Sequence, residues 1–304
     1  MHSIKKILRY ITDVDYRFLV NANRGKYNNM PDREYLSKRF KARLGYPLNL
    51  DNPITFNEKL QWLKLYDRRP EYTTMVDKYA VKRYVADTIG VQYIIPTLGV
   101  WDRFEDIDFD KLPNQFVLKC THDSGGLVVC KDKTELNRAK AKKKIERCLK
   151  NNYFYLGREW PYMNVKPRII AEVYMRDDEV DELKDYKFMA FNGEIKCSFV
   201  CSERFSDSGL RVTFFDNNWN VMPFERHYPR SSKHIPKPQC YEEMKVLAEK
   251  LAQNIPFVRV DFYEVSGKIY FGELTFYPGS GLEEFSPFEW DKKLGKWLKL
   301  PDIK

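Results

Sequence analysis

Two neighbouring segments with alternating apolar and polar residues constrain the fold of this chain more than any other feature. They begin at Phe257 and at Tyr270. Alternation with a period of two is typical of β-strands, and Ser266-Gly267 between the segments favours a tight hairpin turn. The sequence therefore predicts an antiparallel hairpin in the last fifty residues of the chain.

This hairpin would bring two carboxylates together. Period two puts Arg259 and Asp261 on one face of the first strand, and Glu273 and Thr275 on one face of the second. A turn centred near Gly267 sets Asp261 and Glu273 roughly opposite each other. Facing carboxylates repel unless a cation or proton lies between them, and hard oxygen ligands suit a Mg²⁺ ion that takes phosphate oxygens as well. The alternative is that Arg259 pairs with Asp261 while Glu273 is solvated.

Length and composition exclude several classes of protein. The 304 residues are enough for two or three structural units. No apolar run approaches the ~20 residues that span a bilayer, and no signal-like core follows the first residues, so we expect a cytoplasmic protein. The six cysteines form no CxxC pair, which favours reduced thiols over disulfides or a metal site. The chain lacks GxGxxG, Walker A, RRM, KH and zinc-finger patterns, which argues against Rossmann, P-loop and nucleic-acid-binding proteins.

The net charge of +9 is concentrated near the N-terminus. Residues 1–45 hold eleven Lys and Arg against four Asp and Glu, and four of these cations are Lys38, Arg39, Lys41 and Arg43. A solvated helical surface explains such a charge. The alternative is an arm that meets an anionic partner, such as an acidic glycan, a lipid diphosphate or the inner membrane surface.

Helical patterns dominate the beginning of the chain, and strand patterns dominate the rest. Thr55 and Glu58 form a capping box ahead of one helix, and another helix is predicted from Glu71 to Thr88, ending at Gly90. Helices first and mainly antiparallel hairpins afterwards argue for an α+β fold. Strands are expected at residues 91–96, 115–120, 127–130, 168–175, 185–191, 195–201 and 211–216, and residues 217–240 are expected to be irregular.

Two lysines lie where strand patterns meet turn signals. Lys119 ends a short apolar strand and is soon followed by the loop Ser124-Gly125-Gly126, whose backbone N–H groups could turn toward an anion. An ordinary hairpin turn is the alternative. Lys187 shares one face of its strand with Asp185 and needs an anionic partner or a route to water. Exposure on an edge strand is the alternative there.

The Lys119 strand, the glycine-rich loop, the Lys187 strand and the hairpin, in this order along the chain, resemble the ATP-grasp superfamily. Asp77-Lys78 precedes them, and Pro278-Gly279 follows the hairpin. The closest resemblance is to the TupA-like branch, which is linked to teichuronopeptide and other surface-polysaccharide synthesis. The segments that carry this closer resemblance are residues 55–62, 98–101, 119–125 and 158–160.

The resemblance implies an ATP-grasp fold, in which two α+β subdomains clamp ATP. A basic helical region at residues 1–75 would precede a catalytic domain at residues 76–304, with a lid subdomain at residues 97–172. The α/β substrate-binding domain that usually begins such proteins is replaced here by the basic helices.

The resemblance also implies roles toward ATP. Lys78 and Lys119 would hold the α- and β-phosphates, with the glycine-rich loop closing over them, and Lys187 would contact the phosphates as a catalytic residue. The residues expected around the adenine and ribose are Glu172, the backbone of Val173, Tyr174 and Met175, and Asp185 or Glu182.

By the same resemblance the hairpin carries the metal and the reaction centre. Asp261 and Glu273 would bind Mg²⁺, and Arg259 would face the transferring γ-phosphoryl group. The third metal position is usually Asn in the family. It is Thr275 here, which offers a single weaker oxygen ligand.

The implied reaction activates a carboxylate as an acyl phosphate, which an amine then attacks. We therefore expect a carbon–nitrogen ligase that joins an amino compound to a uronic-acid-bearing surface glycan or its precursor. Arg204, Arg211 and Arg230 are candidates for binding the acidic substrate, and structural ion pairs explain each of them equally well. A kinase acting on a sugar hydroxyl and a catalytically silent nucleotide- or glycan-binding module are the alternatives.

Overall fold

Ten α-helices and eleven strands form the part of the chain that the computed structural model describes, residues 2–176, 183–203, 206 and 209–302. None of the described helices is both long and apolar enough to cross a membrane. Six helices precede the first strand. They are α1 (His2–Thr12), α2 (Val14–Asn23), α3 (Asp32–Leu44), α4 (Phe56–Tyr66), α5 (Glu71–Val76) and α6 (Val81–Thr88).

A four-stranded antiparallel sheet follows these helices. Its strands lie in the order β1-β4-β2-β3, and its apolar face packs Phe116 and Leu118 against Ile145 of a long helix. The small sheet and its helices comprise β1 (Thr97–Trp101), β2 (Phe116–Cys120), β3 (Leu127–Cys130), α7 (Arg138–Leu149), α8 (Phe154–Gly157) and β4 (Ile169–Val173).

A five-stranded antiparallel sheet forms the second half of the fold, with its strands in the order β10-β9-β5-β6-β7. A two-stranded ribbon of β8 and β11 lies beside it. These elements are β5 (Asp185–Phe191), β6 (Glu194–Ser202), β7 (Arg211–Phe215), β8 (Glu225–Arg226), α9 (Tyr241–Leu251), β9 (Phe257–Val265), β10 (Lys268–Thr275), β11 (Phe285–Ser286) and α10 (Glu289–Trp297).

Two tight turns connect the hairpins of the large sheet. Ser266 and Gly267 have φ of 50° and 71°, and Asn192 and Gly193 have φ of 51° and 85°. A two-residue turn with positive φ at both positions matches the right-handed twist of the strands, and glycine and asparagine adopt it most readily. The predicted hairpin turns are therefore confirmed.

The main hydrophobic core lies between the large sheet and helices from both ends of the chain. The Phe56 ring of α4 lies 5.6 Å from the Phe191 ring and 4.9 Å from the Phe257 ring. The predicted capping box of Thr55 and Glu58 is present at the start of this helix. Helix α4 thus belongs to the core of the large sheet by packing, and the domain boundary at residue 75 stays a prediction.

Three local predictions differ from the structure. The helix predicted from Glu71 to Thr88 breaks in two, because Asp77 Oδ1 accepts hydrogen bonds from the backbone N–H groups of Tyr79 and Ala80 and caps a new turn. Residues 91–96 contain a 3₁₀ helix, and the strand begins at Thr97 instead. The ribbon strand β8 lies within residues 217–240, which were expected to be irregular.

The contact between α10 and the start of α4 should depend on a glycine. A Cβ at Gly295 would collide with the carbonyl oxygen of Ile54 and lie 2.9 Å from the backbone N of Phe56. Gly295→Ala should therefore lower the free energy of unfolding by about 1–3 kcal/mol, the usual cost of overpacking. Lys296→Ala, at the exposed next position of α10, is the matched control in urea denaturation. Equal midpoints for the two variants would contradict this close packing.

Candidate functional site

A cavity of about 190 Å³ lies between the small sheet and the large sheet. Lysines and the glycine-rich loop form one wall, and carboxylates of the large sheet form the other. The lining residues are Lys78, Lys82, Ile94, Ile95, Lys119, Asp123, Ser124, Gly125, Gly126, Leu127, Glu172, Asp185, Asp261, Tyr263, Phe271, Gly272 and Glu273.

Three charged residues form a row across neighbouring strands beside this cavity, which Asp261 and Glu273 line and Lys187 does not. Lys187 of β5 pairs with Asp261 of β9, and Asp261 pairs with Glu273 of β10. The second pairing depends on a β-bulge, because the register shifts between Phe271 and Glu273. Without the bulge, Gly272 would lie opposite Asp261 and Glu273 would point to the other face. The predicted meeting of the two carboxylates is confirmed, and the bulge is its cause.

Arg259 supplies the cation between the two carboxylates. Its Nε donates to Asp261 Oδ1 at 2.7 Å, and its Nη2 donates to Asp261 Oδ2 at 2.7 Å and to Glu273 Oε1 at 2.6 Å. Lys187 Nζ donates to Asp185 Oδ2 and to Asp261 Oδ2. Repulsion between the carboxylates is therefore relieved by protein cations, as the alternative interpretation expected for Arg259 and Asp261.

Burial and the neighbouring cations act differently on the two carboxylates. Burial dominates at Asp261, which is 1% exposed, and raises its pKa to about 6 despite Arg259 and Lys187. Burial also raises the pKa of Glu273, but Arg259, Lys187 and Lys78 outweigh it and bring the pKa to about 2. The Glu273 side chain keeps 44% of its surface exposed. Glu273 is thus the ionised carboxylate that solvent and ligands can reach.

On the opposite wall, Glu172 forms ion pairs with two lysines. Lys119 Nζ lies 2.6 Å from Glu172 Oε2, and Lys82 Nζ lies 2.5 Å from Oε1. Burial raises the pKa of Glu172, but the two ammonium groups outweigh it, so that the pKa lies below its ordinary value. Glu172 therefore holds both lysines at the cavity, where they could bind phosphate oxygens.

Lys78 lies at the break between α5 and α6. Its ammonium group donates to the carbonyl oxygen of Asp123, and its backbone N–H donates to Thr121 O at 3.0 Å. Burial lowers the pKa of Lys78 despite the nearby charges of Glu273 and Asp123. The break in the predicted helix thus brings this lysine to the entrance of the glycine-rich loop.

The glycine-rich loop is fixed at its base and open at its tip. Both carboxylate oxygens of Asp123 accept from the backbone N–H of Gly126, at 3.0 and 3.1 Å. Ser124 and Gly125 at the tip are exposed, and a Cβ built on Gly125 would have no neighbour within 4 Å. The tip therefore has room to close over a phosphate chain.

Other predicted residues lie away from the cavity or outside the described residues. Val173 is the last residue of β4, and Tyr174 and Met175 follow the strand. None of the three is among the described residues that line the cavity. Their contact with adenine stays a prediction. Glu182 and Arg204 lie outside the described residues. Arg211 is half-buried at the start of β7, and Arg230 is exposed.

Eight lining residues were not predicted from the sequence, and three of them, Lys82, Asp123 and Gly272, contribute a charge or the β-bulge. Lys82 lies four positions after Lys78, and this spacing could have indicated a second lysine on the same side. Asp123 directly precedes the glycine-rich loop, and no pattern in the sequence assigns it a role. Gly272 gives no signal beyond a glycine within a strand pattern, which often marks a bulge.

Sequence reasoning also missed Arg226, a buried arginine beside the charged row. Its guanidinium lies 4.8 Å from the centroid of the Phe199 ring, and Arg259 lies 5.8 Å from the same ring. Phe199 of β6 lies opposite Lys187 of β5, so it is the next residue of the row in the direction of β7. Arg226 is 7% exposed and its Nε lies 3.0 Å from Glu283 Oε2, while Nη1 has no hydrogen-bond partner among the described residues.

The hairpin donors fit a divalent cation that shares its shell with phosphate. Asp261 and Glu273 offer carboxylate oxygens on adjacent strands, and Thr275 Oγ1 lies 3.2 Å from Glu273 Oε1. A small number of hard oxygen donors from the protein suits Mg²⁺, which usually completes its coordination shell with waters and substrate oxygens. In the described part of the chain, no cluster of three or more His, Cys, Asp or Glu could hold a metal unaided. A metal here would depend on phosphate oxygens as well.

Comparison with known families gives the classification. Residues 58–299 match the TupA-like ATP-grasp family. The chain belongs to this family. The match begins inside α4, which agrees with the packing of that helix into the core of the large sheet. No curated protein matches the sequence.

Solved ATP-grasp structures resemble this chain at low identity. D-alanine–D-alanine ligase from Bacillus anthracis, complexed with ATP, is 16% identical over 67% of this chain, with a TM-score of 0.41. The Helicobacter pylori D-alanine–D-alanine ligase is 16% identical over 80% of this chain and 69% of its own, with a TM-score of 0.42. The ATP-grasp ligase PsnB, complexed with a phosphomimetic precursor variant, Mg and ADP, is 9% identical over 90% of this chain and 71% of its own, with a TM-score of 0.43. The chain spans 55% of the Bacillus anthracis enzyme.

The positions of Lys82 and Lys119 in the cavity lining allow a quantitative prediction. Lys82→Met and Lys119→Met should each remove a charge-assisted contact to phosphate, typically about 1.5–3 kcal/mol. ADP affinity measured by calorimetry should therefore fall roughly 10- to 100-fold for each variant. Lys143→Met, at an exposed position of α7 in the small sheet's subdomain, is the matched control. Unchanged ADP affinity in both cavity variants would remove these lysines from the nucleotide site.

Proposed function

We propose that this chain is an ATP- and Mg²⁺-dependent carboxylate–amine ligase that works through an acyl phosphate. The observation that carries the proposal is the network of Lys187, Arg259, Asp261 and Glu273, two of whose carboxylates line a cavity together with three lysines. Membership of the TupA-like ATP-grasp family supports it. In the proposed reaction the γ-phosphoryl group passes to a carboxylate oxygen and ADP leaves, and an amine then displaces phosphate from the acyl carbon.

The residues of this chain would contribute mainly by holding charge in place. Lys78, Lys82 and Lys119 would bind the nucleotide phosphates, and Arg259 would stabilise the charge that develops on the transferring group. Asp261, Glu273 and Thr275 would hold Mg²⁺, which neutralises phosphate charge when bound. Because Arg259 is already oriented by two carboxylates, little reorganisation would be needed during the transfer.

We infer that the acceptor is acidic, in keeping with a uronic-acid-containing surface polysaccharide or its precursor. Arg226 supports this inference, because it lies beside Arg259 over the shared Phe199 ring and has one nitrogen without a partner among the described residues. A guanidinium binds carboxylates in a planar, two-point manner. Arg226 is therefore a better candidate for the acid than the exposed Arg230.

A kinase that phosphorylates a sugar hydroxyl is the second candidate, since it would use the same nucleotide residues. ADP release cannot separate the two reactions. A ligase forms an acyl phosphate, which hydroxylamine can intercept in place of the amine. With glucuronic acid as the probe and hydroxylamine present, we expect ADP, free phosphate and a hydroxamate.

The control for this assay is Glu273→Gln, which keeps the shape of the side chain and removes its charge. Turnover should be lost in this variant, while the midpoint of thermal unfolding should stay close to that of the wild type. A stable phosphosugar without free phosphate or hydroxamate would establish the kinase instead. Near-normal turnover by Glu273→Gln would contradict the role of the hairpin.

Arg226 gives a separate test of the acidic acceptor. Arg226→Gln should raise KM for the uronic acid about 10-fold or more, because a charge-assisted pair is lost, while ADP affinity should stay unchanged. Arg226→Lys should recover only part of the affinity, since lysine cannot bind two carboxylate oxygens in the same plane. Equal KM values for wild type and Arg226→Gln would exclude this residue from acceptor binding.

A further inference from the structure

The first helix carries a stripe of exposed large apolar side chains. Ile4, Ile7, Leu8 and Ile11 are 64%, 57%, 55% and 63% exposed. Their spacing of three and four residues places them on one side of α1. Val14, just beyond the helix, is 66% exposed and extends the apolar surface. Contiguous exposed apolar surface of this kind usually marks an interaction site.

The remaining side of α1 is cationic. Lys5, Lys6 and Arg9 are all exposed, and the helix from His2 to Thr12 contains no acidic residue, although Arg9 pairs with Asp13 at 3.1 Å just beyond the helix end. At 100° per residue these three cations fall on the arc opposite the apolar stripe. Helix α1 is therefore amphipathic, with a narrow apolar side and a positively charged side.

No described part of the protein covers the apolar stripe. The core of the N-terminal helices is formed by α2 and α3, through Phe18, Tyr35 and Leu36, and α1 contributes no side chain to any of the hydrophobic clusters among the described residues. Helix α1 is fastened at its C-terminal end, where the Tyr10 hydroxyl donates to Asn21 Oδ1 at 2.9 Å and Arg17 Nη1 donates to the Ile11 carbonyl at 2.7 Å. The stripe is thus held in place while it faces away from the core.

The cations expected to form a basic arm in α3 are less suited to bind a partner. Arg39 is 8% exposed, and its guanidinium donates to the Tyr35 hydroxyl at 3.1 Å. Lys38 pairs with Glu34 at 2.7 Å. A cationic arm that meets an anionic partner, the alternative to a solvated helical surface, stays a prediction for α3, and the burial of Arg39 removes that residue from such a surface.

We propose that α1 is an interfacial helix that docks on the surface of an anionic lipid bilayer. Its apolar stripe would enter the boundary between headgroups and acyl chains, and Lys5, Lys6 and Arg9 would contact the headgroups. Charge complementarity selects this occupant over a second copy of the chain, because α1 contains no acidic residue that could pair with Lys5, Lys6 and Arg9 of another copy, whereas anionic headgroups can. The proposal is independent of the ligase chemistry and adds a location to it.

The test measures binding of the full chain to vesicles by co-sedimentation. Wild-type protein should pellet with vesicles of phosphatidylcholine and phosphatidylglycerol in equal parts at low salt, and much less with phosphatidylcholine alone. The double variant Ile7→Ser/Ile11→Ser should reduce the partition coefficient by about 10-fold or more, because two large apolar side chains are lost. Lys5→Gln/Lys6→Gln should reduce it by roughly 10-fold at low salt and by less at high salt, where the charges are screened.

Matched controls keep the outcome interpretable. Lys41→Gln/Arg43→Gln removes two exposed charges from α3 and should reduce vesicle binding less than Lys5→Gln/Lys6→Gln does, because α3 carries no exposed large apolar side chain that would enter the bilayer. All variants should keep the wild-type midpoint of thermal unfolding and ADP affinity, since α1 adds nothing to the hydrophobic clusters or the cavity of the described chain.

Two results would overturn the proposal. One is equal pelleting of wild type and Ile7→Ser/Ile11→Ser with the anionic vesicles. The other is a concentration-dependent dimer, seen by analytical ultracentrifugation without lipid and lost in the same variant, which would make a second copy the occupant of the stripe.

Discussion

The buried ion network of Arg259 and Lys187 with Asp261, Glu273 and Asp185 is the interaction on which the site depends. Charges taken out of water are stable only when each is paired and hydrogen-bonded. Arg259 meets this need by contacting Asp261 on β9 and Glu273 on β10. Lys187 lies on a third strand, β5, and contacts Asp261 from there. The network therefore ties three strands together and leaves Glu273 as the accessible carboxylate at the cavity.

A second buried group connects the N-terminal helices to the catalytic part. Lys64 of α4 is completely buried and donates to Ser280 O at 2.8 Å and Ser280 Oγ at 2.9 Å. Burial lowers its pKa to about 7, against the opposing effect of Glu159. The turn that holds Ser280 follows β10 directly, so α4 supports the strand that carries Glu273 and Thr275. Helix α4 thus contacts the segment that follows the cavity-lining strand β10.

Arg158 extends this connection to α2 and α3. Its guanidinium is 1% exposed and donates to the carbonyl oxygens of Tyr27, Asn28 and Met30, at 2.9, 3.0 and 3.2 Å. The segments that carried the TupA-like resemblance, residues 55–62 and 158–160, therefore lie where the helical region meets the catalytic part. Helix α1 takes no part in these contacts, and its apolar stripe stays exposed.

The sequence by itself determined the hairpin, its turns and the residues of the charged row. Period-two alternation and the Ser266-Gly267 turn are local signals, and they predicted a hairpin that brings Asp261 and Glu273 near each other. Only the tertiary structure decided that the two carboxylates share one face, because the bulge at Gly272 rotates Glu273 onto the face of Asp261. Tertiary packing likewise decided which helical stripe is buried. The apolar spacing in α1 resembles that of a core helix, yet no other element of the described chain covers it.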